Sequence, residues 1–178
     1  MSWTLPTLLA LGLLIGCAGQ EGPDQPETAA PRADSPHAAL AAMDSRTPVP
    51  LLPMMARHMK ADMLDHLLVV QEITAALAEG DFDAVSRSAS RIAYTEDLAN
   101  RCDHMGSGAP GFPEKGVEFH RAASGIQEAA KAKDRDGVLR ALGETIAVCN
   151  DCHGRFRQEV VDAATWERRT GSAAPHAQ

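Results

Sequence analysis

Cys149-Asn150-Asp151-Cys152-His153 is a C-x-x-C-H pentapeptide, the spacing at which c-type haem is attached. Each position has a chemical reason. Thiols three residues apart lie on one face of a helical turn, so both can add to the two vinyl groups of a single porphyrin. His153, one turn on from Cys149, is then held under the iron and offers a neutral imidazole nitrogen as proximal ligand. Three other chemistries use cysteines at this spacing. A structural zinc site wants a second ligand pair, and the chain has none. A thioredoxin-like redox motif wants a βαβ context, whereas the surroundings here are helical in pattern. A structural disulfide is the third alternative.

Outward from the pentapeptide, residues 51–170 read as one globular domain, long enough for a single core. Helix 1 runs from Leu51 or Pro53 to Glu79, with Pro53 in the first turn and Gly80 just past the end. Its seam is Leu52, Ala56, Met59, Met63, His66, Val70, Ile73 and Leu77, apolar except for His66. Helix 2 follows Asp81 as N-cap and reaches Met105 before a loop rich in glycine. Helix 3 starts at Pro113 or Glu114, and helix 4 spans Gly137 to Arg168. Nothing reads as a run of strands. Four amphipathic helices with mostly short connections predict an all-α fold, an up-down-up-down four-helix bundle, with covalent haem near the C-terminus of helix 4.

The net charge of −7, with both signs scattered along the helices, argues against nucleic acid as a partner. At the N-terminus, residues 7–16 (TLLALGLLIG) are apolar but far too short to span a bilayer. They end in Leu14-Ile15-Gly16-Cys17, which resembles the lipobox of bacterial lipoproteins, although residues 1–6 lack the usual positive charge. The organisation expected is therefore a signal peptide over 1–16, a disordered tether over 17–50, the domain over 51–170 and a flexible tail over 171–178. The lipoprotein resemblance implies lipidation of Cys17 and a periplasmic protein anchored to a bacterial membrane. Ala18 in place of an aspartate retention signal tilts that to the outer membrane.

Four helices with C-x-x-C-H near the end of the last, followed by Gly154-Arg155-Phe156-Arg157, resemble the class II cytochromes c. That group includes cytochrome c′ and the low-spin cytochrome c-556 type. The resemblance implies one haem c with its iron on His153, a basic residue (Arg157, or its neighbour Arg155) beside a propionate, and a residue of helix 1 opposite the iron. Its members often form homodimers through helices 1 and 2, although the outer side of helix 1 reads as having too few apolar residues for that here.

The sixth position of the iron separates electron carriers from gas binders. Candidates at the haem end are Met55, His58, Met59, Met63, His66, His104, Met105 and His120. Helix 4 is expected to run roughly 14 residues past His153, about 20 Å, and the same rise into helix 1 from Pro53 lands near His66. His66 is therefore the first candidate, with Met63 and Met59 as alternatives and core filling as their ordinary role. His58 reads as solvent-facing, His104 and His120 as propionate-contacting or exposed, and Cys102 as a small buried residue. The function expected is a monohaem electron carrier, not an enzyme, with redox partner proteins in the periplasm. The alternative is a five-coordinate, cytochrome c′-like binder of nitric oxide or carbon monoxide. A peroxidase-type enzyme would need an organised distal acid–base pair, which no arrangement in the sequence supports.

Overall fold

The computed structural model describes residues 36–172, and the chain divides into two units, Met1–Met43 and Asp44–Gln178. The proposed signal peptide, Cys17 and the first part of the tether lie outside the described residues. In the first unit the described residues form a short helix, α1 (Pro36–Ala42). The described part of the second unit is mostly helical. Its elements are β1 (Thr47–Leu51), α2 (Pro53–Glu79), α3 (Phe82–Ser90), α4 (Glu96–Gly106), α5 (Phe112–Lys131), α6 (Arg135–Arg155), β2 (Phe156–Val160) and α7 (Ala163–Thr170).

Helix α2 begins and ends where its punctuation puts it. Pro53 occupies the first turn, and Gly80 at φ 75° closes the helix by donating its N–H to Ala76 and Leu77 carbonyls. Asp81 caps α3 by accepting from Ala84 N at 2.8 Å. The expected single helix 2 is interrupted over residues 91–95. Thr95 sits in extended geometry and its hydroxyl accepts from Leu98 N, starting α4 afresh. Helix α5 makes up for the backbone bonds lost at this break: Tyr94 N donates to Ser124 Oγ at 3.0 Å, and the Ile92 carbonyl accepts from His120 Nδ1 at 2.8 Å.

Three further expectations change. Helix 4 does not reach Arg168; α6 ends at Arg155, and Phe156 turns extended (φ −123°, ψ 148°) into β2. That strand pairs in parallel with β1, Thr47 against Phe156 and Leu51 against Val160, so the second unit contains a two-stranded sheet. Pro48 and Pro50 are tolerated because β1 is an edge strand. The globular part begins earlier than residue 51, since Val49 and Leu51 are fully buried. Lastly, α2 does carry an exposed apolar face outside its seam, formed by Leu64, Leu67 and Leu68.

Two apolar clusters hold the second unit together. The larger draws Val69, Ile73 and Leu77 from α2, Val85 from α3, Ile92 from the break that follows it, Phe119, Ala123 and Ile126 from α5, and Val138 and Leu142 from α6. The smaller joins Val49 and Leu51 to Met55, Ala56 and Met59 at the start of α2, closed from the other side by Trp166 of α7. The strand and short helix that replace the end of helix 4 thus clasp the chain just after the pentapeptide. Trp166 is 0% exposed, and its Nε1 has no hydrogen-bond partner. Trp166→Ala should therefore lose packing alone, destabilising the domain by about 3–5 kcal/mol, read as a lower midpoint in denaturant unfolding. A change below about 1 kcal/mol would show that the clasp is dispensable.

Candidate functional site

The last turns of α6 carry Val148, Cys149, Cys152 and His153 to the wall of a partly open cleft with a cavity volume of about 170 Å³. Helix α2 lines it with Met59, Met63 and His66, α4 with Leu98, Cys102 and Met105, and α5 with Phe112, Phe119 and His120. Cys149 and Cys152 are half-buried free thiols. Burial pushes both thiol pKa values up, and Cys149 beside Cys152 adds to the rise in the latter. A nucleophilic redox pair would need the opposite shift. Among the described residues, no three His, Cys, Asp or Glu side chains cluster as a metal site of their own. His153 is exposed, and its carbonyl accepts from Arg46 Nη1 at 3.4 Å.

Across the cleft lies a cluster of three rings. His66 stacks on Phe119 with centroids 4.5 Å apart and planes at 27°, while His120 stands edge-on to both, 5.7 Å from His66 and 5.1 Å from Phe119. Burial, followed by the neighbouring His120, lowers the His66 pKa from its ordinary 6.5 to about 4. Burial also pushes the His120 pKa down, against the hydrogen bond to Ile92 that raises it. Both rings are neutral in the folded domain near pH 7. As pH falls below 6.5 the unfolded chain takes up these protons first, so the two rings cost the fold stability as pH falls towards 4. The denaturation midpoint should fall steadily across that window; a flat or rising midpoint would contradict two neutral buried rings.

The other sequence candidates divide clearly. Met59 is buried and Met63 is 38% exposed, both on the cleft. Met55 belongs to the smaller apolar cluster. His58 and His104 are exposed and do not line the cleft, His104 lying 6.0 Å from the Trp166 ring. Cys102 is half-buried on the cleft wall opposite Gly116, where a Cβ would meet its Sγ at 2.6 Å, so only glycine admits the thiol there. Arg155 turns away to Asp151 at 2.7 Å. Arg157, with Arg46 and Lys60, lines a depression that shares Met59, Met63, Cys152 and His153 with the cleft.

These residues fit a covalent haem. Two free thiols and an imidazole end one helix, apolar side chains form the walls, and the buried Nε of Arg157 has no hydrogen-bond partner, its nearest carboxylate being that of Asp44 at 3.9 Å. What that nitrogen lacks is an acceptor at hydrogen-bond distance, which a propionate would supply. Residues 107–157 match the Cytochrome C′ family. The match takes in the loop before α5, α5 itself, α6 and the pentapeptide, and supports a haem-binding c-type cytochrome of class II. No curated protein and no solved structure matches the chain. The C-x-x-C-H motif itself was legible from spacing. The ring cluster was not, because the contact that orients His120 spans 28 residues and leaves no local signal.

Proposed function

We propose that the protein is a monohaem c-type cytochrome that carries electrons in the bacterial periplasm. In this reading α2, α3 with α4, α5 and α6 make an up-down-up-down four-helix bundle. Cys149 and Cys152 would hold one haem c through thioethers, and His153 and His66 would hold its iron. Arg157 faces a propionate, and the iron supplies a one-electron couple set by its ligands and burial. What supports the reading most is one cleft that receives the pentapeptide from α6 and the neutral His66 ring from α2. Redox partner proteins would exchange electrons at the open side, where Cys152 and His153 also line a second depression.

Lipidated Cys17 anchors the protein to a membrane, the outer one by the residue that follows it. Among the described residues no helix is long and apolar enough to cross a bilayer. A homodimer through the exposed leucine face of α2 completes the proposal and is checked by sedimentation. The second reading, a five-coordinate binder of nitric oxide or carbon monoxide, draws on Met59, Met63 and Phe119, which would leave an apolar wall over the iron. Absorption spectra of the oxidised and reduced protein, repeated under carbon monoxide, separate the two. Electron transfer predicts a low-spin spectrum indifferent to the gas. A high-spin protein that takes up carbon monoxide moves the function to the second reading.

A further inference from the structure

Metal-bound imidazoles are oriented by what their second nitrogen donates to. Among the described residues, neither ring nitrogen of His66 has a hydrogen bond; the ring is placed only by stacking on Phe119 and by the edge of His120. His120 is 5% exposed and firmly anchored. Its Nδ1 lies 2.8 Å from the Ile92 carbonyl, and a carbonyl only accepts, so Nδ1 carries the proton. The remaining nitrogen, Nε2, is then an acceptor with no hydrogen to give. That carbonyl is itself available because Ile92 lies in the break between α3 and α4.

We propose that His120 is the positioning residue for His66: its Nε2 accepts the N–H of the His66 ring when that ring's other nitrogen is on the iron. The inference rests on the His66 ligand reading above. It assigns the break after α3 a purpose at the site, since the Ile92 carbonyl fixes the tautomer of His120, and His120 in turn fixes the orientation and basicity of His66. Asp62, which is exposed, and Asp65, which is bound to Arg91, also flank His66 from its own helix; the buried acceptor anchored from α5 is His120.

The test compares wild type, His120→Phe, His120→Gln and His66→Ala as haem-loaded full-length proteins, reading spin state, carbon monoxide affinity and reduction potential. Phenylalanine offers no acceptor, so carbon monoxide should displace His66 about ten-fold more readily or better, with a higher potential because the ligand is less basic. Glutamine can donate to Ile92 and accept from His66 together, and should restore both values towards wild type. Equal affinity and potential in His120→Phe and wild type would overturn the proposal. So would a His120→Phe protein that is fully high-spin while His66→Ala stays low-spin, because His120 would then be the ligand itself. A low-spin, gas-indifferent His66→Ala beside an unchanged His120→Phe removes the underlying ligand reading instead. Should His120→Phe not fold, nitrogen NMR of the reduced wild type decides: a protected His66 N–H proton is expected, and one exchanging freely with water overturns the inference.

Discussion

On the electron-transfer reading proposed above, His66→Ala should turn a protein indifferent to carbon monoxide into one that binds it. The ring is half-buried against Phe119, on the cleft that also receives Cys149, Cys152 and His153. Burial keeps it neutral down to about pH 4, and a neutral ring is the form that ligates a metal. With His66 on the iron, as proposed, an incoming gas would first have to displace it. If the open form is populated at about 1%, removing the ring tightens carbon monoxide binding about 100-fold. The change costs one stacked aromatic pair, about 0.5–1.5 kcal/mol, against a domain stability of about 5–15 kcal/mol, so the fold survives. Met59→Ala and Met63→Ala serve as controls that should leave the sixth position filled. A gas-binding response to Met63→Ala, with His66→Ala unchanged, would transfer the ligand role to the thioether.

Replacing both Cys149 and Cys152 by serine should have the largest effect on haem retention. In the native chain the two thiols stand one turn apart on α6, unpaired and raised in pKa by burial. Thioether bonds survive denaturation, whereas axial ligation does not. Acidified organic extraction of the wild type should therefore leave close to one haem per chain, and the double variant should lose nearly all of it. Each single serine variant keeps one thioether and stays coloured. His153 is untouched in these variants, so a double variant that still held its haem would show that the thiols are not the attachment points.

The account of the fold drawn from sequence succeeded where the signals were local. Pro53 and Gly80 bound α2, Asp81 caps α3, and Pro113 lies in the first turn of α5. It failed where distant chain segments decide. The stretch from Arg91 to Thr95 contains no Gly or Pro, and its apolar spacing continues a helix; the break is stabilised from α5, by His120 and Ser124. The residues after Arg155 also repeat with helical spacing, yet Phe156 to Val160 finds β1 more than a hundred residues away in sequence. Counting height along an unbroken helix 4 therefore does not place His66. The helix ends two residues beyond His153, and His66 reaches the cleft because the α2 seam opens there, between buried Met59 and buried Val69. The pentapeptide was legible because covalent attachment demands a fixed local spacing. The anchoring of His120 and the close approach of Cys102 to Gly116 depend on packing between helices, for which no residue pattern within one helix is a signal.

The central claim is that one haem is joined to this chain through the two cysteines of the pentapeptide. Intact-mass measurement on the mature, denatured protein, followed by peptide mapping, tests it most directly. The account predicts a mass increased by one haem, carried by the peptide containing Cys149 and Cys152, with neither thiol open to alkylation. A chain at its unmodified polypeptide mass, with both thiols alkylated, would contradict it.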